Sequence, residues 1–156
     1  MDEIIRFLIE WGYLGMFISA FLAGSVLPFS SEAVMVSCLL VAKMNPVLCV
    51  AFTAAGNALG GFTCYGIGWL GKKEWINRYF RVSEKDLVRA EHFVQGRGAW
   101  IAFFSFIPII GDALLIVLGL MRADKWRVLI YMTLGKILRY ALLAMTVLGI
   151  IDFLGK

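Results

Sequence analysis

Long apolar runs separated by short charged segments dominate the hydropathy pattern of this chain. The uncharged runs are 11–31, 47–71, 99–111 and 113–121. A helix that crosses a membrane needs about 20 consecutive apolar residues. The pattern therefore predicts an all-α membrane protein with full transmembrane helices at about 47–70 and 128–151.

Two further apolar stretches, 11–42 and 99–121, each contain a proline near the middle. Proline lacks a backbone donor and clashes with the preceding helical turn, so a helix tends to break there. The first stretch is also too long for one span and too short for two. We expect each stretch to form a re-entrant helical hairpin, with tip residues Pro28, Ser30 and Ser31 in the first and Pro108 and Gly111 in the second.

The two interrupted stretches resemble each other at an offset of 80 residues. SVLPFSSEAVMVSCLL (25–40) aligns with SFIPIIGDALLIVLGL (105–120), and Glu32 falls on Asp112. An odd number of crossings would separate the copies, so the alignment predicts an inverted repeat, which is a transporter architecture. The single membrane domain would consist of repeat 1 at about 11–70, a connector at 71–98 and repeat 2 at about 99–151.

The distribution of charge predicts the orientation of the connector. Segment 72–98 contains seven lysines and arginines and 122–127 contains three more, within a net charge of +4. By the positive-inside rule, both segments face the cytoplasm. SEKDLVRAEHFV combines a capping pattern with one apolar face, which predicts an amphipathic helix at the cytoplasmic membrane surface. Four acidic residues interleave with the basic ones, which argues against a nucleic-acid partner.

Four ionisable residues lie within the apolar stretches: Glu32, Asp112, Lys136 and Arg139. A charged side chain near the centre of a membrane helix costs about 2.5–3.5 kcal/mol on insertion scales. These groups should therefore pair with each other or face water. In one interpretation, Glu32 and Asp112 are proton-exchanging or gating groups, and Lys136 and Arg139 are their partners or an anionic headgroup site. In the other, the four charges form a structural ion cluster that holds broken helices together.

The hairpin tips add an electrostatic argument for an anionic ligand. A helix that begins after Ser30 and Ser31, or after Gly111, directs free N–H groups and the positive end of its dipole toward the membrane centre. Together with the two buried bases, such helix ends suit an anionic group such as a lipid phosphate.

A stripe of small residues lies on the first predicted span, where GNALGGFTCYGIG places Gly56, Gly60 and Gly68 at multiples of four residues. Small side chains let helices approach closely in lipid, so we expect this stripe to be a packing surface. Asn57 is polar within the same span. It could bond a hairpin tip or make an ordinary interhelical hydrogen bond.

The sequence offers little for catalysis or metal binding. It contains one histidine, His92, and three cysteines without CxxC spacing, and no nucleophile–base pair can be assembled. We therefore expect no enzyme, cofactor or metal site. The first ten residues are net acidic, unlike the start of a signal peptide, so we expect the N-terminus to be retained.

PFSSEAVM, GNALGGFTCYGIG, SEKDLVRAEHF and GRGAWIAFFSFIPIIGDALLIVLGLMR occur here in the order seen in the DedA family, also called SNARE-associated Golgi or VTT-domain proteins. The chain most resembles the short, YqaA-type bacterial branch. The resemblance implies a bacterial inner-membrane protein with two opposed re-entrant hairpins and a role in envelope homeostasis. Many members carry arginines beside the second proline, whereas Ser105 and Gly111 stand at those positions here.

These observations together predict a transporter-like protein that translocates or scrambles an anionic lipid, either a phospholipid or an isoprenyl phosphate. Membrane lipids are the expected partners, with protons as a coupling ion and a homo-oligomer as a possible assembly. Two alternatives stay open: a proton-coupled carrier of a small solute or ion, and a non-transporting membrane scaffold.

Overall fold

The computed structural model describes residues 3, 11–25, 30–72, 74, 83–96, 98–107 and 110–155, with the backbone alone at 84, 86, 87 and 90. The helices of this part are α1 (Tyr13–Gly24), α2 (Ser31–Leu40), α3 (Pro46–Leu70), α4 (Glu84–Gly96), a 3-10 helix (Gly98–Phe106), α5 (Ile110–Leu120) and α6 (Lys125–Leu154). No β-strand occurs among the described residues, which confirms the all-α class.

Two of the described helices are long and apolar enough to cross a membrane. Helix α3 has 25 residues and α6 has 30. At 1.5 Å per residue they extend about 37 and 45 Å, which exceeds the roughly 30 Å hydrocarbon core. Much of α6 exposes apolar side chains, a pattern typical of contact with lipid, as at Ile130, Leu134, Ile137, Leu142 and Met145.

Polar caps determine where these two helices begin. The side-chain oxygen of Asn45 accepts a hydrogen bond from the Val47 N–H at 2.9 Å, and Pro46 occupies the first turn, where its missing N–H is not needed. The Asp124 carboxylate accepts from the Arg127 N–H at 2.9 Å. Both helices therefore begin slightly before the predicted positions, because the caps lie ahead of the apolar runs.

The interrupted stretches each form two short helices. Helices α1 and α2 have 12 and 10 residues, and the 3-10 helix and α5 have 9 and 11. Each is at most about 18 Å long, too short to cross a bilayer alone. Helix α2 begins one residue earlier than expected, at Ser31, and α5 begins two residues earlier, at Ile110. Pro28 and Pro108 lie outside the described residues, as does part of the connector.

The chain divides into two compact units, and unit 1 comprises residues 1–60 and 136–156. In it α1 and α2 pack against each other, together with the first part of α3 and the last part of α6. Its apolar core is formed by buried side chains of all four segments, among them Met16, Val34, Met35, Cys38, Cys49, Tyr140 and Ala144.

Unit 2 comprises residues 61–135. Helices α4 and α5 both pack against the 3-10 helix. The Tyr65 hydroxyl of α3 donates a hydrogen bond to the Ala123 carbonyl in the turn that precedes α6. That turn ends α5 with Arg122 at φ 57° and hydrogen bonds to the carbonyls of Leu118 and Gly119, the pattern of a Schellman motif.

Glycines bring helix backbones together within each unit. In unit 1, Gly56 and Gly60 of α3 lie against the main chain of α1 at Phe17 and Phe21. In unit 2, Gly68 lies against the main chain of α5 at Ile116. A Cβ atom at any of these glycines would overlap the neighbouring carbonyl group. The small-residue stripe of α3 therefore lies where other helices touch it most closely.

Candidate functional site

An ion pair joins the short helix α2 to the long helix α6 in unit 1. Arg139 Nη2 contacts Glu32 Oε1. Glu32 lies in the first turn of α2, whose N-cap is Ser30, with Oγ accepting from the Ala33 N–H at 3.3 Å. The side chains of Arg139 and Glu32 are 23% and 43% exposed. The pair is therefore within reach of molecules outside the protein.

A pair of hydroxyl groups lies beside the ion pair. The side-chain oxygens of Ser31 and Tyr140 are 2.7 Å apart, and both residues are buried. The Arg139 guanidinium carbon lies 5.6 Å from the centre of the Tyr140 ring. Because Ser31 and Tyr140 directly neighbour Glu32 and Arg139 in the chain, this hydrogen bond positions the two charged groups opposite each other.

Lys136 forms a second polar contact, deep in unit 1. The residue is 2% exposed, and its ammonium donates to the Asn57 carbonyl at 2.9 Å and to the Asn57 side-chain oxygen. Asn57 in turn donates from Nδ2 to the Ala20 carbonyl at 3.1 Å. A positive charge is thus held where three helices meet, α1, α3 and α6. Asn57 therefore makes an interhelical hydrogen bond to α1.

Two glycines make this contact possible. A Cβ atom at Gly24 would overlap the main chain of Asn57, and one at Gly60 would overlap that of Phe21 and Gly24. The last turns of α1 therefore lie directly on α3. This close approach brings the Ala20 carbonyl within reach of the Asn57 side chain.

Asp112 and Gly111 lie in unit 2, in the first turn of α5. Asp112 is partly buried and has an interaction partner. The Gly111 N–H donates to the Ile107 carbonyl at 2.8 Å, and a Cβ on Gly111 would overlap the Ser105 main chain. Ser105 is 3% exposed, and its hydroxyl has no hydrogen-bond partner within the described part of the chain.

Sequence analysis assigned no role to several polar residues that the structure buries, among them Tyr140, Thr53 and Ser105. Tyr140 follows Arg139 and lies one turn after Lys136, so its place on the same helix face was a usable signal. Thr53 lies one turn before Asn57 and is fully buried, with no partner for Oγ1 among the described residues. Ser105 was noted only as a departure from the family pattern.

The charged groups of unit 1 are held in ion-pair and hydrogen-bond contacts. Within the described residues no group of His, Cys, Asp and Glu could hold a metal ion. Arg139 carries a positive charge that is paired with the Glu32 carboxylate. Lys136 carries a second positive charge whose ligands are an amide and a main-chain carbonyl.

Known proteins provide an independent comparison. Residues 8–148 match the VTT domain family. The chain is 34% identical over 137 residues to the inner membrane protein YqaA of Escherichia coli K12, a match that covers 86% of this chain and 90% of that protein. It is 32% identical over 136 residues to an uncharacterized protein of Haemophilus influenzae, with 82% of each chain covered. No solved structure shows a detectable match to this chain.

Proposed function

The chain belongs to the VTT-domain family, and from this membership we propose that it is a multi-pass protein of the bacterial inner membrane that translocates or scrambles an anionic lipid. A relative is named an inner membrane protein, and two described helices are long enough to span a membrane. The basic connector at 72–98 then faces the cytoplasm. The transported lipid is a phospholipid or an isoprenyl phosphate.

Two re-entrant hairpins in an inverted repeat are part of this proposal. The order of elements supports it, because a pair of short helices precedes each long helix. Helices α2 and α5 begin at 31 and 110, close to the 80-residue offset of the sequence repeat. Each also carries an acidic residue in its first turn, Glu32 in α2 and Asp112 in α5.

The ion pair between Glu32 and Arg139 is the observation that carries the proposal. It joins a hairpin helix to a transmembrane helix, and the side chains of both residues are partly exposed. When Glu32 binds a proton, its ion pair with Arg139 is replaced by a contact between Arg139 and a lipid phosphate, to which guanidinium groups bind well. Loss of the proton reverses the exchange and releases the lipid. Proton uptake is thereby coupled to lipid binding.

Lys136 and Asp112 complete this mechanism. Lys136 is a fixed positive charge one turn from Arg139 on α6, and it favours an anionic substrate without leaving its buried position. Asp112 is the second gating carboxylate, in the first turn of the other hairpin helix. A single 156-residue chain has little room for a lipid path, so a homo-oligomer is part of the proposal.

The test measures lipid movement in liposomes that contain the purified protein and a fluorescent anionic lipid. A membrane-impermeant quencher reports how much of the inner-leaflet label becomes accessible, with and without a pH gradient. The native chain is expected to remove inner-leaflet protection, and Glu32→Gln, Asp112→Asn and Arg139→Gln are expected to restore it. Asp152→Asn, which removes an exposed carboxylate near the end of α6, is the matched control and should behave as the native chain.

Folding of each variant is checked by its thermal unfolding in detergent. A partly exposed ion pair contributes less than about 1 kcal/mol to stability, so Glu32→Gln should remain folded. Unchanged inner-leaflet protection with the native chain under every condition would overturn the lipid proposal. Flux of a water-soluble compound that requires Glu32 would then favour a solute carrier. Loss of stability in the variants without any flux in the native chain would favour a scaffold.

A further inference from the structure

A cavity of about 400 Å³ lies in unit 2, and none of its lining residues is among those assigned to transport. It lies where α4 ends, the 3-10 helix begins and α6 makes its first turns, and it is lined by Gly96, Ala99, Trp100, Arg127, Ile130 and Tyr131. Arg127, Ile130 and Tyr131 follow one another at helical spacing and share a face of α6. The cavity is therefore built by elements that pack together within a single unit.

Arg127 gives this cavity a positive charge. Its Nη1 donates to the Gly96 carbonyl at 3.3 Å, which orients the guanidinium beside the opening. Within the described residues the Arg127 side chain makes this one hydrogen bond. A guanidinium has five N–H groups, so most of them remain for a ligand. The nearby Asp124 carboxylate caps α6 by accepting from the main-chain N–H of Arg127.

The remaining walls are apolar and partly open. Trp100, Ile130 and Tyr131 are 46%, 58% and 38% exposed. A free anion in water gains nothing from such walls, because the hydrophobic effect rewards burial of apolar surface. A ligand that places an anionic group on Arg127 and hydrocarbon on these side chains uses both features of the cavity.

Neighbouring cations and aromatic rings indicate the depth of this cavity in a membrane. The Arg122 guanidinium lies 4.5 Å from the centre of the Trp69 ring, and the Lys125 ammonium lies 5.7 Å from that of Trp126. Tryptophan, tyrosine and basic residues gather at the level of the lipid headgroups. This end of unit 2, with its basic residues at 122, 125 and 127, has the composition of a membrane interface.

We propose that the cavity binds the headgroup of an anionic phospholipid of the surrounding leaflet. Arg127 contacts the phosphate, and Trp100, Ile130 and Tyr131 contact the glycerol and the upper part of an acyl chain. Basic pockets beside transmembrane helices are suited to such headgroups. The inference rests on the membrane location within the proposed function, and it does not depend on lipid translocation.

Lipid binding to the purified full-length chain in a neutral detergent tests the proposal. Native mass spectrometry counts the molecules of phosphatidylglycerol or phosphatidylcholine, with identical acyl chains, that stay bound during a titration. Arg127→Gln is expected to weaken phosphatidylglycerol binding about fivefold, the effect of one basic residue at the headgroup level. Lys125→Gln removes the same charge two residues away, outside the cavity lining, and should change binding much less.

A second variant guards against a folding defect of Arg127→Gln. Ile130→Trp narrows the cavity without changing the charge and should also weaken phosphatidylglycerol binding. Equal effects of Arg127→Gln and Lys125→Gln, or equal binding of the two lipids, would overturn the proposal. Displacement of phosphatidylglycerol by inorganic phosphate at equal concentration would indicate a site for free anions and would overturn it too. Arg127→Gln should leave the liposome translocation assay unchanged, so failure of this site and failure of the transport function are distinguishable.

Discussion

Glycines bring helix backbones into contact within each of the two units, yet the interiors of the units differ in polarity. In the described part of unit 1, the buried polar side chains are Ser19, Ser31, Thr53, Asn57 and Lys136. In the described part of unit 2, Ser105 is the buried polar side chain. The cations of unit 2 that contact aromatic rings, Arg122 and Lys125, lie instead at the turn before α6 and at its start.

This difference separates packing from function. In each unit, glycines allow helix backbones to pack closely. Packing alone therefore does not require a polar interior. An isolated charge in an apolar interior costs several kcal/mol or more, and Lys136 is tolerated because Asn57 supplies two oxygens to it. We therefore assign the paired charges that bind the substrate to unit 1, and to unit 2 the second gating carboxylate, Asp112, and interfacial contacts with lipid headgroups.

The largest expected effect tests the shared packing. Gly60→Ala in unit 1 and Gly68→Ala in unit 2 should each lower the free energy of unfolding by about 3 kcal/mol, because the new Cβ overlaps backbone atoms. Unfolding in mixed micelles measures the change. Gly66→Ala, on the same helix with open space around it, is the control and should gain up to about 1 kcal/mol. Equal effects at all three positions would contradict the packing argument.

The second-largest expected effect tests whether the polar side chains buried in unit 1 are stable only as hydrogen-bonded pairs. Lys136→Met should cost about 2 kcal/mol, because it removes the ammonium that the buried Asn57 oxygens bind. The double variant with Asn57→Leu should recover much of that loss, since replacing both partners by apolar side chains is often neutral. A double-mutant cycle on unfolding free energies checks this. Additive costs would mean that the two side chains do not interact.

A smaller loss is expected at the hydroxyl pair of unit 1. Tyr140→Phe removes the hydrogen bond to Ser31 and should cost about 1 kcal/mol. If this bond positions Glu32 opposite Arg139, the variant should also slow lipid translocation. Tyr13→Phe, which loses a hydroxyl that accepts a weaker bond from the Asn45 N–H at 3.2 Å, is the control for translocation. If Tyr140→Phe and Tyr13→Phe translocate lipid at the same rate, Tyr140 does not position the ion pair.

The smallest expected effect is a gain in the free energy of unfolding, at Ser105 of unit 2. Ser105→Ala removes a buried hydroxyl that has no partner within the described residues. The free energy of unfolding should rise by about 0.5 kcal/mol, because an unpaired buried hydroxyl is unfavourable. Thermal unfolding in detergent measures it. A clear loss of stability would show that the hydroxyl is satisfied in the membrane, and the contrast between the two interiors would then be weaker.

Much of the fold could be predicted from the chain. The hydropathy pattern located both long helices, with starts that differ from the observed ones because Asn45 and Asp124 act as caps. The energetic cost of buried charge identified Glu32, Lys136 and Arg139 as residues that need partners. The cavity beside Arg127 was not predicted, because its lining comes from three elements whose packing no local pattern reveals.

The sequence by itself determined the helical class, the break of two apolar stretches and the residues that must be paired. Those properties follow from local periodicity, from proline and from the cost of charge in an apolar medium, none of which needs long-range geometry. Only the tertiary structure decided that Glu32 pairs with Arg139, and that Lys136 is bound by an amide. Residues more than 75 positions apart become partners only when helices pack, and the close approach that glycines allow selects which side chains can meet.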